Sequence, residues 1–467
     1  MNRRVLGLML MVGSVVAMPS AASAQNAPVA WPPELPGAKN GTLTITSDLF
    51  LQVPDVVQEG RKDPEAAPFS VAQVPPTVDF AFHRDLGEDA VNRRLWSSWG
   101  DIGLAADGSV YCGIGDHAND VGGDARCFIY RWDPSSKTLE QVVDMNKVVP
   151  PRPGQPAWSK VHAKIDQGPD GRIYFSCTLN NGAAAGDPKY GWTEQLPGGQ
   201  VYAYDPATGK VEVVTSLPPK RCTATSAMDL ERGIWWCNLE AGDGDALWAL
   251  NLKTGKEVFK SKDGAVAFNR AFALANDGAV YFNGPESRIW KYDPKTNAIS
   301  ATKSVFPDDT PGMRAASPQA KDGAIYGVTH KTNQQFRYDP AKDELTMLGP
   351  CWLKGLYTTV VEVSPDGKYL YYLPGAHGQA HPQGAPVVQY EIATGKQKVI
   401  CFLGPAFQKF CRYVPGGTYG VKLSQDGSTL YVNLNGHAVD ELRPAKMRPN
   451  GFGLTSFAAI HIPSQER

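Results

Sequence analysis

The stretch VHAKIDQGPDGRIYFSC, residues 161–177, contains the unit from which most of the chain is built. An apolar strand runs into a tight Asp170-Gly171 turn, and a second strand carrying Tyr174 leaves it. Asp-Gly between alternating apolar residues is the strongest short-range hairpin signal, because the turn needs a positive φ that glycine adopts without strain. The pair recurs at Asp107-Gly108 before Tyr111, Asp277-Gly278 before Tyr281, Asp322-Gly323 before Tyr326, Asp366-Gly367 before Tyr371 and Asp426-Gly427 before Tyr431. A degenerate copy, Arg232-Gly233, precedes Trp235. Most copies continue into a third strand ending at a turn such as Asp133-Pro134, Asp205-Pro206, Asp293-Pro294 or Asp339-Pro340, and then a fourth strand. Four strands per unit, repeated seven times, predict an all-β fold: a seven-bladed β-propeller with four-stranded antiparallel blades. The turns lie 63, 62, 45, 45, 44 and 60 residues apart, so the long intervals carry inserted loops. No segment shows sustained helical periodicity, and the apolar stretch 457–463 is expected to close the ring against the first blade.

The N-terminus reads as a signal peptide over residues 1–24. Asn2-Arg3-Arg4 is basic, 5–17 is an apolar run too short to span a bilayer, and Ala22-Ser23-Ala24 is a small-residue cleavage site. The expected location is therefore periplasmic or secreted. Residues 25–40, with Pro28, Pro32, Pro33 and Pro36, read as a linker or arm, and 41–467 as one propeller domain. A net charge of −1 exerts no general pull on nucleic acid or anionic membrane, so any recognition by charge is local. Neither class of partner is expected, and the sequence leaves the oligomeric state open. The eight cysteines include no Cys-x-x-Cys pair and no haem-attachment motif. Export permits disulfides. Cys401 and Cys411 flank a short loop containing Gly404-Pro405 and are expected to bridge, and Cys112 and Cys127 fit neighbouring strands of one sheet.

In each blade the Asp-Gly turn joins the innermost strand to the second. The start of the first strand and the end of the second therefore lie at the opposite end, and these positions converge on one face. Counting eight residues back from each turn reaches Trp99, His162, Ala224, Asn269 beside Arg270, Arg314, Thr358 beside Tyr357, and Thr418 beside Tyr419. Beyond the second strands, toward the same face, come His117, Glu240, Glu286, His330, His377, His381 and His437. Six of the eight histidines thus fall on one face; the count leaves His83 and His461 unplaced. The long loop TLNNGAAAGDPKYGWTEQLPGG, residues 178–199, places Tyr190 where it can fold over the funnel.

Histidine, tyrosine and arginine around a polar funnel suit β-elimination from a uronic acid. Arginine neutralises the carboxylate and acidifies the neighbouring C–H, one base removes that proton, and an acid protonates the departing glycosidic oxygen. The expected roles are His162 as base, His117 or Tyr190 as acid, and Arg314 with Arg270 as carboxylate clamp. Trp99, Tyr357 and Tyr419 are expected to bind sugar. Neutral imidazole also suits a divalent metal such as Zn²⁺, Mn²⁺ or Ca²⁺, for which His330, His377 and His437 are the candidates.

With the blade pattern, Gly115-Asp116-His117, Val161-His162 and the tyrosine-bearing loop, the chain resembles the seven-bladed propeller polysaccharide lyases, the ulvan lyases and more loosely the oligogalacturonate lyases. That resemblance implies an exported or sugar-catabolic enzyme cleaving an acidic polysaccharide with His, Tyr and Arg. The segments VSPDGKYLYYLPGAHG (363–378) and VPGGTYGVKLSQDG (414–427) resemble a broader group of bacterial secreted propellers. A quinoprotein-like dehydrogenase is the alternative enzyme, suggested by Thr-Gly-Lys at 208–210, 254–256 and 394–396. The docking tryptophan expected after that motif is replaced by Val211-Glu212-Val213, Glu257-Val258-Phe259 and Gln397-Lys398-Val399, so quinone is not expected. A non-enzymatic binding propeller is the other alternative, and a metal-dependent lactone hydrolase would need carboxylates that only Glu240 and Glu286 offer.

Overall fold

A computed structural model describes residues 31–87, 89–92, 96–116, 125–150, 157–178, 199–219, 221–240, 244–307, 309–353, 358–443 and 452–467. The expected signal peptide, His117, Tyr190 and Tyr357 lie outside them.

Seven sheets account for the strands of the described residues; five are built from an innermost strand outward in chain order, and the other two take their outermost strands from the N-terminal part of the chain. Blades 1 to 6 occupy residues 103–144, 160–216, 226–260, 268–305, 313–350 and 362–402. The turns form for the reason their composition suggests. In six of them the aspartate carboxylate accepts from the backbone N–H two residues on, as in Ser109 N to Asp107 (2.9 Å) and Ala279 N to Asp277 (2.9 Å), while the glycine takes a positive φ, +83° at Gly171 and +86° at Gly278. The degenerate turn keeps the device with the aspartate moved: Asp229 accepts from Arg232 N at 3.0 Å. The aromatic after each turn is buried between blades.

Closure differs from the expectation in one respect. The C-terminal strand Leu454–His461 is the third strand of blade 7, beside Thr429–Ala438 and Tyr413–Leu423, rather than a partner of blade 1. Its outer neighbours come from the other end of the chain: Thr77–Phe82, and then Thr42–Thr46 as a fifth strand. Blade 6 also gains a fifth strand, Phe69–Val71, which runs parallel to Gln397–Phe402. A charge-assisted clasp reinforces the seam. The buried Asp79 carboxylate accepts from His461 Nε2 (2.7 Å), Lys137 Nζ (3.0 Å) and Thr44. Burial alone would raise its pKa, but these donors outweigh it and bring the group down to about 2.

The helix Leu403–Cys411 stands where a loop was expected. Its short span and the Gly404-Pro405 pair hide it from sequence patterning, yet proline in the first turn removes an N–H that has no intrahelical partner anyway. Nine helical residues at about 1.5 Å rise hold the ends farther apart than the roughly 7 Å Cα separation a disulfide tolerates. Cys401 and Cys411 are accordingly two separate buried thiols, not a bridge. Cys112 and Cys127 are not opposite each other either: Cys112 pairs in register with Tyr130, and Cys127 with Gly115. Among the described residues no helix is long and apolar enough to cross a membrane.

His83, unassigned by the sequence, is wholly buried against Tyr130, with Nε2 3.5 Å from Cys112 Sγ. Burial depresses its pKa from the usual 6.5 to about 3. The unfolded chain therefore takes up a proton below pH 6.5 that the folded chain refuses until about pH 3. Stability attributable to this residue is intact above pH 6.5 and falls by about 1.4 kcal/mol per pH unit below it. A His83→Gln protein should show a shallower loss of Tm than the wild type when thermal melts are compared between pH 7 and pH 5. Equal slopes would mean that the burial of His83 does not govern acid sensitivity.

Candidate functional site

A cavity of about 210 Å³ occupies the central axis and is lined by all seven blades. Trp99, His162, Ala224, Arg270, Arg314, Thr359 and Tyr419 form its mouth. Counting eight back from the turns reaches six of these positions directly or by the adjacent residue named with them, and misses Thr359 by one. Asp101, Lys164, Asp166, Met228, Leu274 and Pro318, two or four residues farther along the inner strands, form the deeper layer, as alternation along a strand requires.

The mouth residues protrude because the inner ladders skip them. In blade 5, Met313 pairs with Thr329 and Ala315 with Val328, leaving Arg314 as the extra residue. In blade 7, Thr418 pairs with Leu434 and Gly420 with Asn433, leaving Tyr419. Arg270 lies in the wider slip between Phe268 and Phe272, and His162 in the gap between the pairings of Val161 and Asp166 with Ile173–Thr178. A bulge re-aims a side chain out of the sheet, here toward the axis. Glycines two residues earlier permit the turn-out: Gly312 has φ +132° and Gly417 φ +134°, where a side chain would be strained. A Cβ on Gly312 would also collide with the Asn283 side chain.

Buried asparagines hold the bulged backbone. Asn283 in blade 4 reaches across to blade 5, its Oδ1 accepting from Met313 N (2.8 Å) and its Nδ2 donating to Met313 O (2.9 Å), one residue before Arg314. Asn435 in blade 7 does the same to Ser98, accepting from its N–H (2.7 Å) and donating to its carbonyl (2.9 Å), one residue before Trp99. Asn238 accepts from the N–H groups of Ala224 (3.0 Å) and Thr225 (2.9 Å). These asparagines were missed at the level of sequence. For Asn238 and Asn283 the available signal was an aromatic-x-Asn repeat, Trp236-Cys237-Asn238 and Tyr281-Phe282-Asn283; Asn435 stands two residues beyond a third copy, Tyr431-Val432-Asn433.

The mouth is cationic and aromatic. Arg270 Nη1 lies 3.0 Å from His162 Nε2. A guanidinium has only donors, so Nε2 is the acceptor in this bond, and the imidazole carries its proton on Nδ1. The Arg314 guanidinium sits over the Tyr419 ring at 5.6 Å, and Lys160 Nζ over Trp99 at 4.7 Å. Trp99, Tyr419, His377 and Phe452 form one cluster of rings, with Trp99 stacked on Phe452 at 5.6 Å. His377 adopts a left-handed backbone, φ +60°. Its pKa is held down to about 4, first by burial and then by Arg314, Arg270 and Lys160, so three cations converge on this region. His330, packed on Phe268, is lowered by burial and then by Arg314, Lys331 and Arg270. The cavity's only carboxylates among the described residues are Asp101 and Asp166, both in the deeper layer and 3.8 Å from Lys164. Burial, helped by Glu362, raises Asp101 to about 6 against the pull of Lys164 and Lys422.

The three metal candidates do not converge. His437 faces His381 at 5.3 Å between ring centroids, whereas His330 and His377 sit beside the arginines. Among the described residues no three His, Cys, Asp or Glu side chains are grouped to hold a metal ion. The expected carboxylate clamp is brought together with the expected base: His162, Arg270 and Arg314 share one cavity with Trp99 and Tyr419.

No family model matches the chain, and no curated protein does. Among solved structures it is similar to a chain in the crystal structure of the mitotic checkpoint complex. The TM-score is 0.51 at 8% identity, over 86% of this chain and 94% of that one, a likeness of fold alone.

An Asn283→Ala protein should lose the two-bond hold on Met313 and leave buried backbone groups unpaired, a cost of about 2–3 kcal/mol. A lowered Tm together with a crystal structure showing Arg314 moved off Tyr419 is the expected result. An unmoved Arg314 would show that the bulge holds itself.

Proposed function

We propose that the protein is an exported polysaccharide lyase that cleaves uronic-acid-containing glycans by β-elimination in the propeller mouth. The observation that carries this reading is the His162–Arg270 contact inside a mouth whose described residues hold no carboxylate. An acid group entering it meets Arg270 and Arg314. A substrate carboxylate competes for Arg270, whose departure uncovers the Nε2 lone pair of His162 beside the newly bound uronate. The clamp spreads the charge that develops when the C5–H bond breaks, and His162 takes that proton. The electron pair forms the C4–C5 double bond, the C4–O bond breaks, and the leaving oxygen collects a proton. Tyr419 is the described phenol in the cavity suited to supply it; His117 and Tyr190, the residues expected from sequence, remain the other candidates. The ring cluster around Trp99 supplies an apolar platform for a sugar face. Export is proposed on the N-terminal sequence alone. No metal is assigned a part, since Arg270, Arg314 and Lys160 set a repulsive field where His330 and His377 stand.

Purified protein incubated with a panel of uronate polysaccharides should produce absorbance at about 235 nm from the unsaturated product. Arg270→Ala and Arg314→Ala should each lower kcat/KM by roughly 10²-fold or more, and His162→Ala should abolish turnover while retaining glycan binding. Tight glycan binding without any product would instead favour the non-enzymatic binding propeller. A silent assay with no binding to any acidic glycan would sink both.

A further inference from the structure

Of the eight buried cysteines, two meet each other. Cys127 Sγ and Cys177 Sγ are 3.8 Å apart, in van der Waals contact and less than about 2 Å beyond the bonding distance of roughly 2.05 Å. Others have different neighbours: Cys112 lies against His83, Cys351 against Thr358, and Cys222 donates to Glu240. Cys127 opens the third strand of blade 1, Cys127–Asp133, and Cys177 belongs to the second strand of blade 2, Ile173–Thr178. The two blades are separate sheets with no ladder between them. Both sulfurs lie in the apolar core shared by these blades, beside Trp158 and Tyr202.

We infer that Cys127 and Cys177 form a disulfide that staples blade 1 to blade 2 at the end of the sheets nearest the cavity mouth. The oxidant is a disulfide compound, either a protein disulfide oxidase or oxidised glutathione. One thiolate attacks its S–S bond and releases a thiol. The second thiolate then attacks the mixed disulfide and releases the other. Two protein thiols lose two protons and two electrons, and the oxidant's disulfide is reduced to two thiols. Both sulfurs are buried in the folded core, so the exchange takes place during folding, while they are still open to the oxidant. The bridge encloses a 50-residue span and constrains the unfolded chain accordingly. The inference concerns the fold and is independent of the lyase reading.

The test expresses the full chain in a bacterial host twice, once behind a heterologous export signal and once in the reducing cytosol. Free thiols of the soluble protein are alkylated in denaturant and counted by mass. The exported form should carry six alkyl groups and yield a linked peptide pair containing Cys127 and Cys177, and the cytosolic form should carry eight. Reductant should lower the Tm of the exported form by about 5 °C and leave that of an exported Cys127→Ser, Cys177→Ser double variant unchanged. Eight free thiols in exported, folded protein, or a linkage joining other cysteines, would overturn the inference.

Discussion

The skipped residue in the inner ladder is the constraint on which the site depends. A regular inner strand alternates its side chains between its two neighbouring blades or between axis and core, and its backbone is spent on the ladder. One extra residue breaks that alternation and turns Arg314 or Tyr419 toward the axis. The break leaves backbone donors and acceptors without ladder partners in a buried place, where each would be costly. Asn283, Asn435 and Asn238 answer that cost, as does Thr418, whose hydroxyl donates to the Asn433 carbonyl at 2.7 Å and accepts from Gly420 N at 2.9 Å. The mouth is thus held by a polar scaffold that never faces the cavity itself.

Charge is arranged in two layers that the net value of −1 conceals. Arg270 and Arg314 line the mouth, Lys160 adds a third cation over Trp99, and the carboxylates of the described cavity lining lie in the deeper layer. Below them Asp101, Lys164 and Asp166 balance one another, and Glu362 pairs with Lys422 at 3.1 Å. The two arginines thus stand apart from the deeper carboxylates, which lie two or four residues farther along the inner strands.

The repeat was readable because its turn chemistry is strict. Asp-Gly marks a conformation that few dipeptides adopt well, and one marker per blade sets the phase of everything near it. Eight residues back from a turn is a fixed geometric distance along a strand, so His162, Arg270, Arg314, Trp99 and Tyr419 could be placed on one axis before any coordinates. Other features were hidden for physical reasons. A nine-residue helix opening with Leu403-Gly404-Pro405 has too few turns to show a period. The strands Phe69–Val71 and Thr77–Phe82 come from a region without the marker, and their partners in blades 6 and 7 lie at the far end of the chain. The approach of Cys127 to Cys177 joins two blades, and spacing within one blade says nothing about it. His437 was grouped with His377 as lying beyond a second strand, but it belongs to the strand Thr429–Ala438, paired with Val414 and facing His381, whereas His377 stands in the turn region after Tyr369–Tyr372 among the rings of Trp99 and Tyr419.

The seam in blade 7 has a consequence for biogenesis. Asp79 and His461 are 382 positions apart, and every ladder bond between Thr77–Phe82 and Leu454–His461 must wait for the last residues to be made. Until then the early strand is an open edge whose Asp79 lacks one of its three donors, and it is able to pair with whatever extended chain it meets. Six blades can assemble locally as they emerge, but the circle becomes a circle in one late step, so a polypeptide cut short near its end is left as an arc with two sticky margins rather than as a slightly smaller ring.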